Sequence, residues 1–216
     1  MKLISINVGL ERSIPNAKAS GKTGIYKLPV NTPVRIASNG IPGDAICDKK
    51  NHGGPDQSIY IYGETDYKWW SEALGRELAP GTFGENLTIS GLESGQVCIG
   101  DVLLIGEVSL QVTSPRTPCV TLAARMGDNA FIKQFQQAER PGLYCRVLLE
   151  GQVQSGETVH IKSYAGKTVT ILEMFRDYYK ATLDEAMLRL YLAAPISLRA
   201  RVDKENQLQK LIGKHG

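Results

Sequence analysis

A cysteine follows a proline where an extended run gives way to a helical one, in Ser114-Pro115-Arg116-Thr117-Pro118-Cys119-Val120-Thr121. A thiol at a helix N-terminus faces amides without intrahelical partners and the positive end of the dipole. Both favour the thiolate, the form that attacks electrophiles and binds soft metals. Arg116, three residues upstream, adds to that field, and the two prolines fix the turn. A free cysteine is more commonly a small buried apolar residue. That plain reading suits Cys47, Cys98 and Cys145, whose neighbours are apolar, whereas the setting of Cys119 points to chemistry.

Two further loops carry polar groups at turn-forming spacing. Lys49-Lys50-Asn51-His52-Gly53-Gly54-Pro55-Asp56-Gln57-Ser58 offers two cations, an imidazole and a Gly-Gly turn able to present amides to an anion. A histidine-based zinc site is not expected, because the chain has three histidines and one of them is His215 near the end. Taken alone, this stretch reads as a surface loop. In Pro80-Gly81-Thr82-Phe83-Gly84-Glu85-Asn86-Leu87, glycines lead into a strand and let a ligand approach the backbone. Thr82, Glu85 and Asn86 add hydroxyl, carboxylate and amide groups there. Gly21-Lys22-Thr23 resembles the end of a phosphate-binding P-loop, but the upstream glycine position holds Asn16. Neither a dinucleotide fingerprint nor a hydrolase nucleophile elbow occurs.

The elements that must position these loops are mostly short strands. Leu3–Val8 alternates apolar and polar residues as a half-buried strand does. Ser58–Tyr62, Leu87–Ser90, Val102–Ile105, Ser109–Thr113, Leu143–Leu149 and Thr158–Lys162 are further runs, separated by Gly, Pro, Asn and Asp. Their number and spacing predict a closed or nearly closed antiparallel barrel. A helix is expected over Glu64–Leu78, where Tyr67, Trp70 (or Trp69), Leu74 and Leu78 recur at helical spacing. Another should follow Cys119 through Leu122 and Met126, with a second turn near Phe131 and Phe135. After residue 163 the period changes. Ile171–Tyr178 reads as a helix. Thr182-Leu183-Asp184-Glu185 reads as a capping box opening a second one, with Leu183, Met187 and Leu190 on one face and Pro195 as the stop. Ser197 caps a third, carrying Leu198, Val202, Leu208, Leu211 and Ile212 and ending at Gly213. The expected division is a barrel over 1–163 and a three-helix unit over 164–216.

Composition bounds the function classes. The 216 residues are 42% hydrophobic and 22% charged, which suits a globular chain and excludes a collagenous, coiled-coil or disordered one. No apolar run is long enough for a membrane span, and the N-terminus lacks the pattern of a signal peptide. Four scattered cysteines fit a reducing compartment, so a cytoplasmic protein is expected. The net charge of +3 falls wholly in 164–216, with nine basic and six acidic residues there. That excess is too thin for a phosphate-binding stripe, so stable nucleic-acid binding is not expected.

Together, Lys50-Asn51-His52-Gly53-Gly54-Pro55-Asp56, Phe83-Gly84-Glu85-Asn86-Leu87, Pro115-Arg116-Thr117-Pro118-Cys119 and Gly142-Leu143-Tyr144-Cys145-Arg146-Val147 resemble the MOSC domain. The resemblance is strongest to the YiiM type, or 6-N-hydroxylaminopurine resistance proteins, and covers nearly the whole chain, including a short three-helix C-terminal domain. It implies a β-barrel like that of pyruvate kinase's barrel domain and a bound molybdenum cofactor. It further implies a molybdenum-dependent oxidoreductase that reduces N-hydroxylated bases or related compounds from N–OH to N–H. Electrons would come from a separate flavoprotein reductase. Cys119 would then be the metal ligand and catalytic residue. Arg116 and Lys49 or Lys50 would neutralise the cofactor phosphate. Ser114, Thr82, Gly84, Glu85, Asn86, His52, Gly53 and Arg146 would line the cofactor pocket. A possible homodimer belongs to the same reading. Two alternatives stand beside it: a module that only carries the cofactor or sulfur, and a docking role for the basic C-terminal helices.

Overall fold

The computed structural model describes residues 1–15, 21–48 and 53–213. In chain order the strands are β1 (Leu3–Gly9), β2 (Arg12–Ser13), β3 (Lys22–Thr23), β4 (Lys27–Pro29), β5 (Val34–Ile36), β6 (Ile59–Gly63), β7 (Leu87–Ile89), β8 (Val102–Ile105), β9 (Val108–Pro115), β10 (Leu143–Leu149), β11 (Gly151–Val153) and β12 (Val159–Lys162). The helices are α1 (Glu64–Leu74), α2 (Val120–Met126), α3 (Phe131–Ala138), α4 (Ile171–Asp177), α5 (Glu185–Ala193) and α6 (Leu198–Ile212).

Eight strands form one sheet in the order β12-β8-β9-β10-β6-β7-β1-β4. Its two sides curl toward each other. A bridge between Lys2 and Thr158, with Leu3 N–H donating to Glu157 O at 2.9 Å, brings the start of β1 alongside the start of β12. The ladder goes no further, so the barrel is nearly closed. The pairs are antiparallel except β6–β7, which run parallel with Ile61 opposite Leu87. That corrects an all-antiparallel expectation: α1 and the loop after it carry the chain back, as a parallel pair requires. Alternation fills the inside. Leu103 pairs with Leu110, Val112 with Cys145 and Ile61 with Leu143, and all six are sealed from solvent.

A second apolar cluster builds the outer layer from aromatic rings. Phe83 stacks on Tyr62 with centroids 4.6 Å apart, and Trp70, Phe131 and Phe135 surround it. Trp70 Nε1 donates to the Tyr62 hydroxyl at 2.8 Å, which donates in turn to Arg140 O at 2.7 Å. The polar edges of the buried rings are thereby satisfied. The 79–86 loop is fixed through Phe83.

The C-terminal helices use different residues from those expected. The capping box belongs to α4: Thr170 Oγ1 accepts the Glu173 N–H, and Glu173 reaches back to the Thr170 amide at 2.7 Å. Asp184, not Thr182, caps α5 by accepting the Met187 N–H at 2.8 Å. A carboxylate one residue before the helix is a stronger cap than a hydroxyl three residues away. In α5, Leu188 and Tyr191 are buried while Met187 and Leu190 are half-buried. In α6, Leu198, Val202 and Ile212 are exposed, and the inward stripe is Ala200, Lys204, Leu208 and Leu211. Ser197 caps α6 and Pro195 follows α5, as expected. Helix α1 ends at Leu74, short of Leu78, because Gly75 adopts the left-handed conformation (φ 62°). Ile171, Met174, Leu188 and Tyr191 join the same core cluster as the barrel strands.

Candidate functional site

A cleft with about 740 Å³ of empty space, part of it open to solvent, lies where three loops meet above the end of β9. Its walls include Cys119, Arg116, Asn86, Gly84 and Gly53, from segments far apart in the chain. Cys119 is the N-cap of α2, in extended conformation, and its carbonyl accepts the Leu122 and Ala123 amides at 3.0 and 3.2 Å. Its side chain is partly exposed. Arg116 is buried just beyond β9. Its Nη1 donates to the Phe83 carbonyl, and its guanidinium lies over the Tyr60 ring, 4.9 Å from the centroid. It is close enough to Cys119 to act on it electrostatically. Guanidinium keeps its charge even when buried, so the cleft has a fixed cation beside the thiol.

The cleft is also lined by a buried ion pair. Lys27 Nζ donates to both carboxylate oxygens of Asp44, and the two side chains are only 8% and 7% exposed. Asp44 is aimed by the Gly9 amide at 2.8 Å and by Asn86 Nδ2 at 2.9 Å. Burial lowers the Lys27 pKa, with Asp44 opposing the shift. Asn86 Oδ1 accepts the Tyr60 N–H at 3.1 Å, so this amide joins strand β6 to the ion pair and has little left for a ligand. Tyr60 and Tyr144, neighbours across β6–β10, line the floor, and burial raises both phenols so that they stay protonated.

Several expected site residues stand elsewhere. Glu85 is fully buried behind the loop, where its Oε1 accepts from Tyr67 Oη, Gly81 N and Thr88 Oγ1 at 2.7, 2.6 and 2.9 Å. It folds the loop and does not line the cleft. Burial raises its pKa, against the pull of those hydrogen bonds. The Thr82 hydroxyl donates to Ala79 O at 2.6 Å, also outside the cleft. Ser114 Oγ is buried without a partner, and Arg146 pairs with Asp56 at 2.9 Å. Lys49, Lys50 and His52 lie outside the described residues. Sequence reasoning missed Lys27, at the start of the three-residue strand β4, and Asp44, in irregular chain, with no periodicity to flag either. It also passed over Cys47, which shares the cleft. Tyr60 and Tyr144 could have been found from the β6–β10 register, had it been known.

The donor set fits a metal that brings its own chelate. Among the described residues no three His, Cys, Asp or Glu converge. A chelated metal with an anionic tail needs a single soft thiolate, a nearby cation and open hydrogen-bonding atoms. Cys119 and Arg116 meet the first two needs. Arg116 Nε and Gln57 Oε1, buried on lining residues and without partners, meet the third.

The curled barrel carries a loop-built cleft lined by the Cys119 and Cys47 thiols and the buried Arg116. The MOSC domain family model matches residues 48–160, and the chain belongs to that family, in its YiiM branch. It is similar to the crystal structure of YiiM from Geobacillus stearothermophilus, with a TM-score of 0.80 at 29% identity, over 96% of this chain and 98% of that one. It is 36% identical to the uncharacterized protein YflK of Bacillus subtilis (strain 168), over 90% of this chain and 89% of the relative. A protein of Gibberella moniliformis named Reductase is 31% identical over 64% of this chain but only 25% of its own length. Among the described residues no helix is long and apolar enough to cross a membrane.

Proposed function

We propose that the protein binds a molybdenum cofactor in this cleft and reduces N-hydroxylated compounds, with electrons from a separate flavoprotein reductase. The convergence of the Cys119 thiol and the buried Arg116 guanidinium on one cleft carries the reading. The reductase-named relative supports it at the level of redox chemistry. The net change is R–NHOH + 2 e⁻ + 2 H⁺ → R–NH₂ + H₂O. When bound, the cofactor would supply the two-electron redox chemistry.

The chain's own residues bind and position. Cys119 Sγ holds the metal, and Arg116 supplies positive charge toward an anionic tail. Tyr60, beneath the Arg116 guanidinium, and Tyr144 close the floor of the cleft. The reaction consumes two protons, and Lys27 Nζ is a proton-bearing atom on the cleft wall. Full-length protein from cells that make the cofactor is incubated with an N-hydroxylated base and a chemical electron donor. The expected product is the amine, at a rate that falls to background in Cys119→Ser. Metal-loaded protein without turnover would replace this reading with that of a carrier. Protein that acquires no metal would end both.

A further inference from the structure

The turn that carries Gln57 into the cleft has few bonds of its own: Gln57 N–H donates to Gly54 O at 3.0 Å, and Ser58 Oγ donates to Pro55 O at 2.8 Å and Gly54 O at 3.3 Å. Pro55–Gln57 is a single 3-10 turn, preceded by two left-handed glycines, Gly53 (φ 77°) and Gly54 (φ 83°). So short a turn needs tertiary contacts to persist. Asp56 provides them. Its Oδ1 lies 2.9 Å from Arg146 Nη2, and its Oδ2 accepts the Leu198 backbone N–H at 2.6 Å. Its carbonyl accepts from Thr113 Oγ1 at 2.6 Å. Arg146 Nη2 also donates to the carbonyls of Pro195 and Ile196 at 3.2 and 2.9 Å, and Ser197 N–H donates to Thr113 O at 3.2 Å. Asp56 therefore joins the cleft turn to β10 and the start of α6 through its carboxylate, and to β9 through its carbonyl. The Leu198 amide is one of the first-turn donors that a helix cannot satisfy by itself, and Asp56 satisfies it from 142 residues away.

We infer that Asp56 is a latch through which the C-terminal helices hold the cleft turn in place, with Asp56 and Arg146 acting as positioning residues for Gln57. Gln57 lines the cleft, and its Oε1 is buried without a hydrogen-bond partner. A buried acceptor left open is satisfied by a donor that enters the cleft. The latch thus aims Gln57 at an N–H or O–H of the ligand. This assignment does not depend on the identity of the cofactor.

Two full-length variants isolate the latch. Leu198→Pro removes the backbone N–H that the Asp56 carboxylate accepts and leaves the Arg146 pair in place. Proline is favoured at the first helical position, and Ser197 already has the extended conformation (φ −61°, ψ 148°) that a following proline requires. The Leu198 side chain is 66% exposed, so little packing is lost. Asp56→Asn removes the charge at nearly constant shape. Native-state hydrogen exchange is then followed at Gln57 and Ser58, with β8 and β12 as internal references. Loss of a charge-assisted bond is expected to speed exchange in the turn by about tenfold, with the reference strands unchanged. Unchanged exchange in the turn would overturn the latch. A uniform rise in the turn and the reference strands alike would also overturn it, by reducing Asp56 to a general stability contact. Should Asp56→Asn fail to fold, Leu198→Pro decides alone.

Discussion

Cys145 is sealed in the barrel core and its thiol is pushed well up by burial; burial and Asp101 raise Cys98, and burial and Glu11 raise Cys47. Cys119, partly exposed like Cys47 and Cys98, differs from them in sitting at the head of α2 with Arg116 beside it. Thiolate is the reactive form, so mild alkylation at neutral pH should label Cys119 first, read by peptide mapping. Earlier labelling of Cys47, which shares the cleft, would contradict this. Glu85 gives a pH-dependent test. Its pKa is raised in the folded state, chiefly by burial, so folding binds a proton more tightly there than the unfolded chain does. At low pH both states are protonated and no penalty arises. As pH climbs from the ordinary carboxylate range through the raised value, the folded state must ionise a buried group and loses stability. Glu85→Gln mimics the protonated acid and keeps an oxygen for Tyr67, Gly81 and Thr88. Thermal melts should therefore show the variant gaining on the wild type as pH rises from about 4 to 8. A gap that is constant with pH would show that the carboxyl is not perturbed.

The elements that aim the site depend on backbone forms that few residues adopt. Gly84 has φ 75°, and a Cβ there would come within 2.8 Å of Ile25 Cγ1 and 3.7 Å of Arg116 Nη1. Gly84→Ala should cost about 1–3 kcal/mol by denaturant unfolding. An unchanged midpoint would mean the loop absorbs the methyl without strain. Such features explain what the sequence could and could not tell. Strands with clean alternation were legible: Val102–Ile105 and Leu143–Leu149 fall within their expected bounds. So were the loops bearing Cys119, Arg116, Gly84 and Asn86, because glycine, proline and reactive residues are dense there. The capping box was ambiguous, since Thr170-x-x-Glu173 and Thr182-x-x-Glu185 carry the same local signal. Only the site where the chain turns helical decides between them. The Lys27–Asp44 pair and the inward roles of Glu85 and Arg146 were illegible, because each depends on contacts between segments distant in the chain whose approach no periodicity encodes.

At the scale of the whole molecule, the apolar core runs across the expected boundary near residue 163. Ile171, Met174, Leu188 and Tyr191 are at most 1% exposed and pack in one cluster with the barrel strands. The intact chain should therefore unfold in a single cooperative transition, followed by circular dichroism and calorimetry together. A chain ending at Lys162 would uncover that apolar surface and release Asp56, so it should lose cooperativity or aggregate. Two separated transitions in the intact protein would instead show independent units.

In the proposed function, Cys119 holds a molybdenum cofactor in the cleft. The most direct test is the molybdenum content per chain of protein purified from cofactor-making cells, wild type against Cys119→Ser, with folding checked by circular dichroism. Wild type should carry about one molybdenum per chain, and the folded variant should carry far less, because serine replaces the soft ligand with a hard one. Equal content in the two proteins, or none in the wild type, would contradict the account.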